Sequence, residues 1–195
     1  MKDYDKIIEK CGIEQQLELK DIPEIDLYMD QVIQLFEKKF EKAKRYDDEK
    51  ILTKTMINNY AKGKLFYPIK NKKYSKEHII LISLIYQLKG SLTIKDIKSI
   101  LGPLNKWTSE EDFPLDDFYE SYLSLANNNV TYVKNNIMEL NKDVKNKVTS
   151  ISEEDSHYLE KLLTIIAFVQ MSNMYRKIAE TLVDEIKEEK VQPDK

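Results

Sequence analysis

Between Ser75 and Gly90, the residues Ile79, Ile80, Leu81, Ile82, Leu84, Ile85 and Leu88 are apolar on nearly every side of one helix. Such a helix has no face to offer water and has to be wrapped by its neighbours. It is also too short to span a bilayer, which takes about 20 apolar residues, and the run Leu162–Val169 is shorter still. The chain therefore reads as a folded body built around this helix, and 195 residues suffice to bury roughly 70% of the unfolded surface. With only four glycines and five prolines, that body is expected to be ordered and mainly helical.

The immediate neighbours of the apolar helix are short and strongly punctuated. Upstream, Thr53 is placed to cap a helix through Lys62, with Gly63 as the left-handed residue that ends it. Met56, Ile57, Tyr60 and Ala61 share one side of that helix, and Lys54, Thr55, Asn58, Asn59 and Lys62 occupy the others. Asparagine is a mediocre helix former, so the Asn58-Asn59 pair in mid-helix favours a polar task over local stability. Leu65-Phe66-Tyr67, Pro68 and Ile69–Tyr74 have the pattern of a small edge hairpin with a lysine-rich turn. Downstream, Thr93 and Asp96 approximate a capping box for a helix through Leu101, closed by Gly102-Pro103.

Charge separates this stretch from the rest. Residues 50–106 hold twelve lysines against Glu77 and Asp96, a net +10; residues 1–49 and 107–195 carry −5 and −8. A basic block between acidic flanks is the footprint of a region that meets a polyanion. The ordinary alternative is a solvated lysine-rich face.

Before the block, residues 1–28 are weakly patterned and read as an arm or brace. From Met29, Val32, Ile33, Phe36 and Phe40 recur at helical spacing. After it, residues 103–114 read as a connector and 115–190 as two long helices parting near Thr149–Ser152, with a tail at 191–195. In the first of these, Tyr119, Leu123, Ala126, Val130, Val133, Ile137, Leu140, Val144 and Val148 form a coiled-coil seam. The second carries a broader stripe from Leu159 to Ile186. Two such helices leave apolar surface uncovered, so residues 115–190 are expected to make a homodimer.

Catalytic chemistry is poorly supplied, and the chain is not expected to be an enzyme or to hold a cofactor. His78 and His157 are the two side chains of a type whose unperturbed pKa lies near neutrality. His157 lies four residues after Glu153, a spacing that could hold a metal but that in so acidic a stretch reads first as an accident of composition. Cys11 is the single cysteine, which rules out an internal disulfide and a thiolate metal site and fits a reducing compartment. The start lacks the features of a secretory signal, so a cytoplasmic location is expected. Trp107, Phe113, Phe118, Tyr119 and Tyr122 are dense near the connector and suit either core packing or a small-molecule pocket.

Met56-Ile57-Asn58-Asn59-Tyr60, Lys64–Pro68 and Tyr74-Ser75-Lys76-Glu77-His78-Ile79, in that order, resemble the second helix, wing and third helix of MerR-type transcription regulators. Closer still is the resemblance to an uncharacterised bacterial family that shares the LTKTMINNY and KKYSKEHI stretches, and it extends upstream through residues 22–31. The resemblance implies an all-α fold with a small β-hairpin wing. A winged helix-turn-helix domain at residues 29–102 would be followed by two long antiparallel helices. It implies a DNA-binding regulator with a recognition helix over 53–62 and a lysine-rich wing over 64–74. The residues so implied are Thr53, Lys54, Thr55, Asn58, Asn59, Tyr60, Lys62, Lys64, Lys70, Lys72, Lys73 and Tyr74, the two tyrosines for phosphate or scaffold contacts, with double-stranded DNA as partner and a small-molecule effector left open. The departure is at Asn58, where MerR proteins usually have arginine. The chain's two arginines, Arg45 and Arg176, both lie outside the basic block. That departure keeps a second expectation open, an interaction adaptor that has lost DNA binding and whose acidic C-terminal helices dock a protein partner.

Overall fold

The computed structural model describes residues 2–151 and 155–191. Glu153 and residues 192–195 of the expected tail lie outside the described residues. Over the described residues the protein is mostly helical, with one antiparallel two-strand ribbon. In chain order come α1 (Lys2–Cys11), β1 (Leu27–Tyr28), α2 (Met29–Lys39), α3 (Lys54–Lys62), β2 (Lys73–Tyr74) and α4 (Lys76–Leu88). There follow α5 (Ile94–Ser109), α6 (Leu115–Thr149) and α7 (Ser156–Val191). No helix among the described residues is long and apolar enough to cross a membrane.

Helix α4 is the centre. Ile79, Ile80, Leu81, Ile82 and Ile85 are wholly buried, each contributing about 1.5–3 kcal/mol of burial energy. Around them close Val32 and Phe36 of α2, Ile57 and Tyr60 of α3, and Ile97, Leu101 and Leu104 of α5. The 17–28 stretch, expected as part of an arm, lies inside this shell through Leu17, Ile22 and Leu27. Leu115 and Tyr119 of α6 and Val183 of α7 join the same cluster, which thus continues past residue 102.

Three local expectations are corrected. Helix α5 does not stop at Gly102-Pro103 but runs on to Ser109 with Pro103 inside it. An internal proline costs about 3 kcal/mol. Here the buried stripe of Leu101, Leu104 and Thr108 carries the helix through.

Gly63 is not the left-handed residue after α3. It stays right-handed at φ −69°, and Lys64 takes φ +57° instead. The Leu65 N–H donates to the Tyr60 carbonyl at 3.0 Å and the Lys64 N–H to the Ala61 carbonyl at 3.0 Å, the pair of bonds of a Schellman closure.

The ribbon, finally, does not pair Leu65–Tyr67 with the segment after Pro68. Leu27 pairs with Tyr74, and Tyr28 with Lys73. Leu65 and Phe66 are buried in the core instead, because their side chains find apolar partners there and their backbone needs no strand. What remains of the hairpin is its turn, in which the Lys73 N–H donates to the Lys70 carbonyl at 2.9 Å. Asn71 and Lys72 both have positive φ, 51° and 60°, the geometry of a type I′ turn.

The long helices run out from this body and back. Tyr119 is buried, as are Ile137, Val144 and Val148 farther along α6. The α7 stripe behaves differently. Ile166, Val169, Tyr175, Ile178 and Leu182 are each more than half exposed, while Thr164 and Val183 face inward. Near its end α7 returns to α5, where the Lys187 ammonium meets the Asp96 carboxylate at 2.8 Å. Helix α1 lies across the bundle and is held by Gly12, whose φ is +60°. A Cβ there would sit 2.9 Å from the Lys42 backbone carbon, so only glycine allows the approach.

Candidate nucleic-acid interface

Helix α3 starts where the sequence reading puts it. The Thr53 hydroxyl accepts from the Met56 N–H at 3.1 Å, and Ile57 and Tyr60 anchor the helix in the core. Lys54, Thr55, Asn58, Asn59 and Lys62 are exposed. Ala61, expected on the apolar side, is exposed with them.

Two of the implied contact residues are not surface residues. Tyr60 is 3% exposed and Tyr74 is 2% exposed. Both rings pack in the core cluster, so they support the scaffold and do not reach a ligand.

Tyr74 packs edge-on against Phe66 and against His78. His78, buried beneath the ribbon, accepts from the Ser75 N–H through Nδ1 at 3.3 Å. Its Nε2 donates to the Tyr67 carbonyl at 3.1 Å. The carbonyl fixes the tautomer, since it can only accept. The result is a capping box with histidine in the place usually held by glutamate. Burial pushes the His78 imidazolium's pKa down from its ordinary value, against the opposing pull of the Tyr67 carbonyl and the nearby Glu77 and Asp26.

The wing turn and the start of α3 are tied to the β1–α2 junction by two residues that the sequence reading missed. The Lys73 ammonium sits 5.3 Å from the ring centroid of Tyr28, and the Lys54 ammonium pairs with the Asp30 carboxylate at 2.8 Å. No local signal marks Tyr28 and Asp30, because their partners lie far along the chain. The Lys54–Asp30 pair is solvent-exposed on both sides, so it contributes at most about 1 kcal/mol and a phosphate could replace the carboxylate at little cost.

Among the described residues, no ion pair engages Lys62, Lys64, Lys70 or Lys72, and all four are exposed. Their charge is uncompensated. Other lysines of the basic block are committed elsewhere. Lys76 meets Glu24 and Asp116 at 3.0 and 2.9 Å, and its ammonium is held above the ordinary lysine pKa by them. Lys89 donates to the Ile51 carbonyl at 3.2 Å and lies over the Tyr86 ring, and burial lowers its pKa. The basic surface is thus smaller than the lysine count suggests.

The aromatics near 107–122 divide. Tyr119 and Tyr122 belong to the core, Trp107 and Phe118 are exposed, and Phe113 borders a cleft of about 570 Å³ between the wing turn and the α5–α6 connection. Among the described residues, no group of three His, Cys, Asp or Glu side chains is arranged to hold a metal ion.

A mostly helical body with a short ribbon, an outward polar helix and a small lysine-bearing patch beside it is the class these features define. Residues 17–122 match a family described as a domain of unknown function, DUF1836, and the chain belongs to that family. The match takes in the arm from Leu17 onward, the ribbon, α2 to α5 and the first turns of α6. No curated protein and no solved structure matches the chain.

Proposed function

We propose that the chain is a DNA-binding transcriptional regulator of winged helix-turn-helix type that works as a homodimer. The observation that carries this reading is α3 itself, a short helix anchored by Ile57 and Tyr60 whose other sides present only Lys54, Thr55, Ala61 and Lys62 around the Asn58-Asn59 pair. In this reading α3 enters the major groove, where asparagine matches the adenine edge and a threonine methyl meets the thymine methyl. Lys62, Lys64, Lys70 and Lys72 take phosphates, together with Lys54 once it leaves Asp30 and Lys73 from its place over Tyr28.

The outward stripe of α7 supports the dimer. Two-fold readers of this kind bind half-sites roughly 34–36 Å apart. A second reading, an adaptor without DNA binding, is favoured by the absence of arginine from residues 50–106.

Selection of random duplexes by the purified protein tests the first reading. Enrichment of an A/T-containing, pseudo-palindromic site is expected, with a log–log salt slope of about −5 if six lysines each meet one phosphate. Retention of no duplex at low salt overturns it in favour of the adaptor. Sedimentation tests the dimer, and the paired variant Ile166→Asp, Tyr175→Glu is expected to run as a monomer.

A further inference from the structure

We propose that the cleft enclosed by α1, α6 and α7 binds a small amphipathic carboxylate, an apolar body ending in an anionic head. The cleft measures about 500 Å³, well within the range of small-molecule sites. Its floor is apolar: Ile8 is 6% exposed, Ile137 9% and Thr164 5%, with Phe168 beside them. The Thr164 hydroxyl donates to the Glu160 carbonyl at 2.8 Å, so it offers the space no free donor.

The mouth has the opposite character. Lys145 comes from the end of α6, and His157 and Lys161 from the start of α7, against one carboxylate, Glu160, among the described residues that line the cleft. Among the described residues, no hydrogen bond or ion pair engages the side-chain nitrogens of Lys145, His157 or Lys161. Two uncompensated ammonium groups and an imidazole over an apolar floor match a ligand whose negative end stays at the rim while its body is buried. A carboxylate at the rim accepts charge-assisted hydrogen bonds from these groups, whereas an amine would face two like charges.

All these residues lie outside the 17–122 family match. The site therefore belongs to what this chain adds to the shared domain, and it does not rest on the DNA-binding reading.

Calorimetry with decanoate, decanol and decylamine against the full-length protein tests the proposal, alongside proton NMR of the two histidine rings. Decanoate is expected to bind saturably at one site, with octanoate weaker by about fourfold for each methylene removed. The His157 ring signals should shift while those of buried His78 stay in place. The surface variant Lys145→Gln, Lys161→Gln, which spares the core, should weaken decanoate at least tenfold and leave decanol unchanged. Decanol or decylamine binding as tightly as decanoate overturns the proposal. So does a double variant with undiminished affinity for decanoate, or saturable decanoate binding that leaves the His157 signals unmoved.

Discussion

The Tyr119 hydroxyl donates to the Leu17 carbonyl at 2.8 Å, joining residues 102 apart in sequence. The same oxygen accepts from the Ser83 hydroxyl of α4 at 2.8 Å. One side chain thus ties the arm, the central helix and the first long helix together inside the core, and burial there pushes its own pKa well above the usual tyrosine value. Tyr119→Phe leaves a buried carbonyl and a buried hydroxyl without their partner, which costs about 1–3 kcal/mol. Urea unfolding should show a lower midpoint with an unchanged slope. An unchanged midpoint would mean that the network adds nothing to packing.

Lys64 and Lys72 hold positive φ without being glycine, at about 1 kcal/mol each. Lys64→Gly and Lys72→Gly are therefore expected to raise the unfolding midpoint. The same substitutions remove one exposed charge each, so on duplex DNA the salt slope should fall by about 1 per lysine. A stability gain with an unaltered salt slope would remove these two side chains from the interface.

His78 accepts a hydrogen bond at Nδ1 and is held neutral by burial, so protonation favours the unfolded chain. The unfolded imidazole takes up its proton near pH 6.5 and the folded one only at lower pH. Stability should accordingly fall as pH drops below about 6.5. Glutamine, like glutamate, serves at the N3 place of a capping box but does not titrate, and His78→Gln should flatten the curve between pH 7 and 5. Parallel curves for the two proteins would contradict the assignment.

Asp96 accepts from both Lys187 and Thr93, and these partners hold its carboxyl down to about 2. A depressed carboxylate stabilises the fold above its unfolded pKa, and that contribution disappears as pH falls toward 2. Asp96→Asn should be less stable than the parent at pH 6, with the gap closing in acid. Thermal unfolding across pH 2–6 reads the difference directly.

Asn58 is exposed on α3 and makes none of the described hydrogen bonds through its side chain. If it reads a base, Asn58→Ala should relax preference at one position of the selected site by about 1–3 kcal/mol while leaving the unfolding midpoint nearly unchanged. Unaltered preference would assign base reading to other residues.

Much of the helical layout was legible because its signals are local. Thr53 and Thr93 cap the helices they were expected to cap, and the all-round apolar run of α4 is the buried centre. What failed was non-local or a matter of one residue. The pairing of Leu27 with Tyr74 leaves no periodicity in a strand of two residues, so the ribbon's partner was sought next door.

Gly63 attracted the left-handed role because it is glycine, yet the closing bonds fall one residue later, on Lys64. Pro103 looked like a stop because its neighbour is Gly102, and the continuing stripe of Leu104 and Thr108 outweighed both. In the candidate interface, the outward set of α3 follows from helical spacing. The burial of Tyr60 follows from the same spacing, which puts it beside Ile57; that of Tyr74 does not, since an aromatic with a polar tip suits a surface or a core equally.

The two legs of the long hairpin are fastened at the same end, α6 through Tyr119 and α7 through Val183 and the Lys187–Asp96 pair. A helix of 35 residues extends about 50 Å from such an anchorage. For rigid helices so anchored, tilting the base by about 5° would carry the far tip through about 4 Å, and α1, which lines a cleft with Lys145 and His157 near that tip, would have to move with it.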